Sequence, residues 1–282
     1  MNNIVNGLEI SERILDELKQ SIKGCIIRPS VAVIQIGSDE VSNKYVKAKE
    51  DACNKIGIFF RYYQYEDGTP ELTIINKIKE LNNDDYVNGV MVQLPIPEKY
   101  NEKRLFNTII NSKDIDGLTD INIGRLISGR KTIVPCTVLA IMKIFEEYNI
   151  SLSGKDITII GKGKLVGRPL INVLLKEGAT VTVCHSRTES LEKHTKGADI
   201  IISATGVKNL LMADMVKDGA IIIDTGCTIE DGKVYGDADF DALKKKASLI
   251  TPAIGGVGPI TVAMCMSNII MCYKNSKKWT LN

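Results

Sequence analysis

Apolar residues recur along the chain with two alternating periods, and these set out its elements in order. Over residues 11–23, Ile14, Leu15, Leu18 and Ile22 share one helical face, with Gly24 placed to close the helix. Residues 31–37 are an apolar run, 39–56 repeat with a helical period ended by Gly57, and 58–65 are again rich in strand formers. Thr69 and Pro70 read as the N-cap and first-turn proline of a helix burying Leu72, Ile75, Ile78 and Leu81. A third strand is expected at 87–96. This βαβαβ order demands a parallel sheet.

The pattern then changes. A short helix is expected at 101–110 and a polar loop at 111–120, and a helix at 137–148 leads into a second alternating series. Its candidate strands are 156–160, 180–184, 199–203, 220–224 and 248–251, followed by an apolar helix at 260–272. The fold class is α/β with two domains: an N-terminal parallel α/β domain over 1–136, with a return helix 260–282 packing on it, and a Rossmann-like dinucleotide-binding domain over 137–259.

The 282 residues are ample for two cores, and 36 Lys+Arg against 34 Asp+Glu leave a net charge of only +2. Nucleic acid and membrane surfaces are therefore not expected partners. The stretch 260–273 is interrupted by Thr261, Ser267 and Asn268 and falls short of the ~20 residues a bilayer span needs, so it reads as a buried helix. Residues 1–10 carry no basic-then-apolar leader, and a cytoplasmic protein is expected. Seven cysteines without a CxxC pair, and only His185 and His194, suggest reduced thiols and no metal.

Directly after the strand 156–160 stands Gly161-Lys162-Gly163-Lys164-Leu165-Val166-Gly167, and a helix follows. Glycines in such a turn let backbone N–H groups approach a pyrophosphate at the helix N-terminus, and Gly167 permits close packing of helix on sheet. Where the next strand ends at Cys184, an NAD enzyme would place an acid for the ribose hydroxyls. Here stand His185, Ser186 and Arg187. Ser186 and Arg187, with Lys162, suit a phosphate, which favours NADP over NAD.

In the first domain Ser42, Tyr45 and Lys49 lie on one side of the helix 39–56. Tyr-x-x-x-Lys also marks short-chain dehydrogenases, but those carry it after the glycine-rich turn, whereas here it comes before. Gln93 sits near the carboxyl end of the third strand, the edge where open α/β sheets bind ligands, and Asp116 lies in a polar turn. Lysine, tyrosine, glutamine and aspartate together form a metal-free site suited to hydride chemistry.

With these residues in place, the chain resembles the bifunctional methylenetetrahydrofolate dehydrogenase/cyclohydrolase family over essentially its whole length. The resemblance rests on Ser42-x-x-Tyr45-Val46-x-x-Lys49, Val92-Gln93-Leu94-Pro95-x-Pro97, Lys113-Asp114-x-Asp116-Gly117, Pro135-Cys136-Thr137 and Cys184-His185-Ser186. Gly236-Asp237-x-Asp239-Phe240 and Gly255-Gly256-Val257-Gly258-Pro259-x-Thr261 extend it. A two-domain shikimate-type dehydrogenase shares the domain order but not the segments 92–97 and 255–261.

The resemblance implies NADP-dependent oxidation of methylenetetrahydrofolate to the methenyl cation and hydrolysis to 10-formyltetrahydrofolate, within one-carbon metabolism and purine biosynthesis. It implies Lys49 as the catalytic lysine, Gln93 as the residue orienting it, Tyr45 as a stacking partner and Asp116 as pterin anchor. Gly256 and Pro259 are implied on the substrate side. Gly161, Lys162, Gly163, Val166, Gly167, Ser186, Arg187, Thr205, Gly206 and Thr225 are implied at the cofactor, and a homodimer is expected. The chain departs from the family pattern at Gly161-Lys162-Gly163, where Gly-Arg-Ser is usual, and at Pro252-Ala253-Ile254, where Pro-Val-Pro is usual.

Overall fold

The computed structural model describes residues 3–276. They divide into two compact units, residues 12–136 with 262–276 and residues 3–11 with 137–261. The opening segment thus belongs to the second unit, where the sequence had placed it in the first. Val5 N–H donates to Ile250 O at 2.9 Å and Ile250 N–H to Asn3 O at 2.8 Å, and the Asn3 amide caps the carbonyls of Lys244 and Ala247. A segment this short has no periodicity to say which sheet it joins. The return helix was expected to reach 282, and residues 277–282 lie outside those described.

Helix α1, Gly7–Ser21, starts four residues earlier than the expected segment 11–23. Ile14, Leu15 and Ile22 are buried as expected, while Leu18 is half-buried. In the first unit, β1 (Ser30–Ile36) runs between β2 (Phe59–Tyr65) and β3 (Gly89–Val92), all parallel. Every residue of β1 is buried, as a central strand covered on both faces requires. Helix α2 (Glu40–Ile56) joins β1 to β2, and α3 (Glu71–Asn83) joins β2 to β3. Ile74, Ile75, Ile78 and Leu81 of α3 close the core against Ala32, Ile34, Val90 and Val92.

Three local expectations fail here for physical reasons. Leu72 is exposed and Ile74 takes its place, because Leu72 lies about 130° around the helix from the centre of the buried stripe. Thr69 is not the N-cap: its hydroxyl donates to Glu66 O at 2.9 Å, and Pro70 occupies the cap without a side-chain bond. Strand β3 ends at Val92, because Pro95 and Pro97 follow and proline cannot donate to a ladder. Beyond α4 (Glu102–Thr108), α5 (Asp120–Ile127) starts at the last residue of the expected loop 111–120, where no helix is expected. Its one buried residue is Asn122, so no apolar stripe announced it.

Helix α6 (Cys136–Glu147) precedes the second unit's sheet, whose strands are β4 (Asp156–Ile160), β5 (Thr180–Cys184), β6 (Ile200–Ser203), β7 (Ile221–Asp224) and, later, the two-residue strand Leu249–Ile250. All pair in parallel, in the order Leu249–Ile250, β7, β6, β4, β5. Helix α7 (Gly167–Lys176) connects β4 to β5, and the short helix α8 (Glu192–Thr195) precedes β6. The chain steps from β4 outward to β5 and returns to β6 on the other side, which opens a crevice at the carboxyl ends of β4 and β6.

An unexpected hairpin, β8 (Thr228–Glu230) and β9 (Lys233–Tyr235), turns at Asp231-Gly232 with φ of 50° and 72°. The short helix α9 (Phe240–Leu243) then leads to the strand Leu249–Ile250, hereafter β10. The final helix α10 runs over Val257–Asn275 and begins three residues earlier than expected. Its 19 residues are long and apolar enough to cross a bilayer by length and composition, yet Ile260, Ala263, Cys265, Met266 and Ile269 are buried inside the protein.

Two aspartates lock the ends of β6 and β7. Asp237 accepts Ser203 Oγ–H at 2.7 Å and the N–H groups of Thr205 and Val207, while Asp224 accepts those of Gly226 and Ala238. A Cβ on Gly226 would overlap the Asp237 carboxylate, and one on Gly236 would overlap the Asp224 carboxylate. Burial first, then the Asp237 charge, lifts the Asp224 carboxyl from 3.8 to about 6, against the pull of its N–H donors. Between those values the native state holds a proton that the unfolded chain has released, so unfolding free energy falls as pH rises from 4 to 6. The loss is on the order of 3 kcal/mol. Urea titrations across this range should show that decline in the parent and a flatter profile in Asp224→Asn; parallel profiles would contradict it.

Candidate active site

Helix α2 is anchored where it meets the sheet. Asp39 caps it by accepting Ser42 N–H at 2.8 Å, Gln35 of β1 donates to Asn43 Oδ1 at 2.7 Å, and Ser42 Oγ–H donates to Leu94 O at 3.0 Å. One face of α2 buries Val46, Ala52, Cys53 and Ile56. Lys49 is buried too, and its Nζ donates to Gln93 Oε1 at 2.7 Å. The Gln93 Nε2 in turn donates to Leu94 O at 2.7 Å, which fixes the amide with its oxygen toward the lysine. Tyr45 stands one turn before Lys49 on α2 and is exposed.

The segment 113–117 divides its work residue by residue. Lys113 Nζ donates to the carbonyls of Leu81, Asn82 and Asp84 at 2.8–3.0 Å, closing the carboxyl end of α3. Asp114 accepts the N–H groups of Leu118 and Thr119 and the Asn122 amide. Gly117 has φ of 67° and a Cβ there would press on Ile133 O, so no other residue fits.

Asp116 is thereby left half-buried, with its Oδ1 taking a long 3.6 Å contact from Cys136 Sγ. Burial raises its carboxyl above the usual range, and the positive charge of Lys49 pulls the other way. Lysine, amide and carboxylate, all in the first unit, are thus drawn together, as the sequence expected.

In the second unit, the β4–α7 turn lies at the crevice between β4 and β6. Gly161 has φ of 110°, and a Cβ there would overlap the Ala204 carbonyl that follows β6. A Cβ on Gly167, the first residue of α7, would overlap Gly161 O. The two glycines therefore bring backbone and helix N-terminus to the crevice, a cradle suited to a dinucleotide pyrophosphate. Gly163 has open space around it and no such steric role. Val166 caps α7 without a side-chain bond. Lys162, Ser186 and Arg187 are exposed, the last two in a tight turn where Thr188 N–H donates to His185 O. Thr205 N–H is held by Asp237, Gly206 has φ of 69°, and the Thr225 hydroxyl donates to Ser203 O, which turns it toward the sheet.

Two models of known families match the chain: tetrahydrofolate dehydrogenase/cyclohydrolase, catalytic domain, over residues 5–116, and tetrahydrofolate dehydrogenase/cyclohydrolase, NAD(P)-binding domain, over residues 135–277. The chain belongs to the tetrahydrofolate dehydrogenase/cyclohydrolase family. Bifunctional protein FolD of Campylobacter hominis is 45% identical over 281 residues, 98% of each chain. The crystal structure of the bifunctional enzyme FolD, methylenetetrahydrofolate dehydrogenase/cyclohydrolase, from Campylobacter jejuni superposes with a TM-score of 0.94 at 43% identity, covering 96% of this chain and 98% of that one. The Trypanosoma brucei methylenetetrahydrofolate dehydrogenase-cyclohydrolase, complexed with NADP cofactor and inhibitor, gives a TM-score of 0.94 at 30% identity over 98% of both chains.

Within this tetrahydrofolate dehydrogenase/cyclohydrolase, Gly256 and Pro259 belong to the second unit, not to the one that holds Lys49. A Cβ on Gly256 would overlap Pro252 O, and Pro259 O accepts Ser11 Oγ–H at 3.0 Å, so both have local packing roles. Sequence reasoning missed Asn268, whose amide donates to Ile115 O at 2.8 Å and Val134 O at 2.9 Å and so ties both flanks of the Asp116 turn to α10. Its signal was visible as a polar interruption of an apolar helix. Also missed was Cys265, which the fold brings to Asp116 and Cys136.

Lys113→Met should remove three charge-assisted bonds and lower stability by about 3 kcal/mol. Urea denaturation should show that loss, and initial-rate kinetics should show a higher KM for folate with the KM for nucleotide unchanged. Unchanged stability would mean that the ammonium does not close α3.

Proposed function

We propose that Lys49, Gln93, Tyr45 and Asp116 carry the folate chemistry of this enzyme, which oxidises methylenetetrahydrofolate with NADP to methenyltetrahydrofolate and hydrolyses that product to 10-formyltetrahydrofolate. The observation that carries the reading is the buried Lys49 amine held by Gln93 at 2.7 Å, with the Asp116 carboxylate influenced by its charge. A pterin presents an amino group and a ring N–H side by side, so the Asp116 carboxylate can accept both and fix the ring. Tyr45 offers an aromatic face.

Bound NADP would supply the acceptor for a hydride from the substrate methylene carbon. The chain's own contribution to that step is to fix the folate and to hold the nucleotide phosphates at the Gly161–Gly167 cradle. In the second step water adds to the electron-poor methenyl carbon and the bond from that carbon to the N5 nitrogen breaks, leaving the formyl group on N10. Lys49 is placed to exchange the protons this requires, and Gln93 limits the amine to one direction. Lys162, Ser186 and Arg187, exposed at the ends of β4 and β5, supply the cations and hydroxyl for the 2′-phosphate that distinguishes NADP from NAD.

The reading extends to a cytoplasmic homodimer that supplies formyl groups for purine biosynthesis, without nucleic-acid or membrane partners. The small net charge of +2 supports the absence of polyanion binding.

An assay following reduced nicotinamide and the methenyl species separately tests the assignment. Lys49→Met should slow enzymatic methenyl hydrolysis by at least about 100-fold; a parental hydrolysis rate removes Lys49 from the mechanism. Arg187→Ala should raise the KM for NADP by about 10-fold, with little change for NAD. Equal effects on the two cofactors would move the phosphate site elsewhere.

A further inference from the structure

The sequence has no metal motif, but folding assembles one from three distant positions. Cys136 Sγ, Cys265 Sγ and an Asp116 carboxylate oxygen all lie within 4.8 Å of one another in the first unit. Cys136 Sγ and Asp116 Oδ1 are 3.6 Å apart. Tetrahedral coordination with a sulfur ligand at about 2.3 Å and an oxygen ligand at about 2.0 Å separates the two by about 3.5 Å. Both cysteines are buried, so neither can relax into solvent, whereas Asp116 retains exposed surface through which an ion can arrive. The Asn268 amide lies 3.5 Å from Cys136 Sγ and donates to the carbonyls of Ile115 and Val134, an outer hydrogen bond that holds the sulfur's surroundings in place.

We propose that Cys136, Cys265 and Asp116 form a binding site for a thiophilic divalent cation of the zinc class, and that the cation competes with folate for Asp116. Two thiolates and one carboxylate prefer such an ion over magnesium or calcium, which take oxygen ligands. Binding releases the two thiol protons to buffer and changes no oxidation state. The ligands bring three negative charges to a dication, and the positive charge of Lys49, which acts on Asp116 and Cys136, offsets part of the remaining negative charge. A carboxylate engaged by the cation cannot accept the paired N–H groups of a pterin. The competitive half of this proposal rests on the anchor role given to Asp116 above.

The test uses the reduced full-length protein with Cd2+ alone and with Zn2+ alone. One equivalent of Cd2+ should produce a thiolate-to-cadmium charge-transfer band of two-thiolate intensity, and Zn2+ should displace it. Cys265→Ser and Cys265→Leu should each weaken Cd2+ by at least about 100-fold while keeping the parental dehydrogenase rate. Cys53→Ala, which removes another buried thiol of the same unit, should bind as the parent does. Absence of the band, or equal Cd2+ affinity in folded Cys265 variants, would overturn the site and leave the folate reading intact. In kinetics, Zn2+ should raise the KM for folate with kcat unchanged in the parent and have no such effect in Cys265→Ser. A dithiol band that persists undiminished under saturating folate, with no effect of Zn2+ on the KM for folate, would overturn the competition and leave the folate reading intact.

Discussion

A buried ammonium is the constraint on which the first unit depends. Lys49 gives up bulk water, and its partner is a neutral amide oxygen at 2.7 Å rather than an ion-paired carboxylate. An amide satisfies the amine without cancelling its charge, and that charge acts on the nearby Asp116 carboxyl. That arrangement works only if Gln93 cannot turn, and its nitrogen is accordingly spent on Leu94 O, which also accepts the Ser42 hydroxyl. One carbonyl thus ties the end of β3 to the first turn of α2. The strand that stops early at Val92 and the helix capped by Asp39 serve the same geometry.

The neighbouring pentapeptide shows how a turn can present one acid while using another. Asp114 is consumed by backbone N–H groups and the Asn122 amide, and Lys113 by the carbonyls that end α3. Gly117 is fixed by its backbone angle and by the Ile133 carbonyl beside it. With these neighbours all engaged structurally, Asp116 is the side chain left to chemistry. Its raised carboxyl is the cost of this half-buried position, and the charge of Lys49 offsets part of it.

Sequence periodicity carried the fold well where burial followed a regular stripe, as in β1, α2 and the alternating strands of the second unit. It failed where polar or backbone interactions decide. Helix α5 buries only Asn122, the N-terminal segment joins the second sheet through main-chain bonds to Ile250, and Leu72 is apolar without being inward. The same division holds at the site. Lys49, Gln93 and Asp116 were legible because polar residues stood at a strand end, on a helix face and in a turn. Cys265 was not legible, because a cysteine inside an apolar helix looks like core until the fold shows what lies opposite. Gly163 differs from the two sterically required glycines beside it, since open space surrounds it and no packing contact demands a glycine there.

The reciprocal fit of Asp224 with Gly236 and of Asp237 with Gly226 bears on how this protein can be altered. Each carboxylate fills the volume that the paired glycine leaves vacant, and each also holds backbone near the end of the central strands. The segments around 224–226 and 236–237 are therefore two halves of a single keyed part, although the β8–β9 hairpin separates them in the chain. A loop grafted from a relative into only one of them would bring its own side chains into space already assigned. Redesign of the nucleotide edge is free to vary the exposed turn at 185–188 alone, but it must transplant these two segments together.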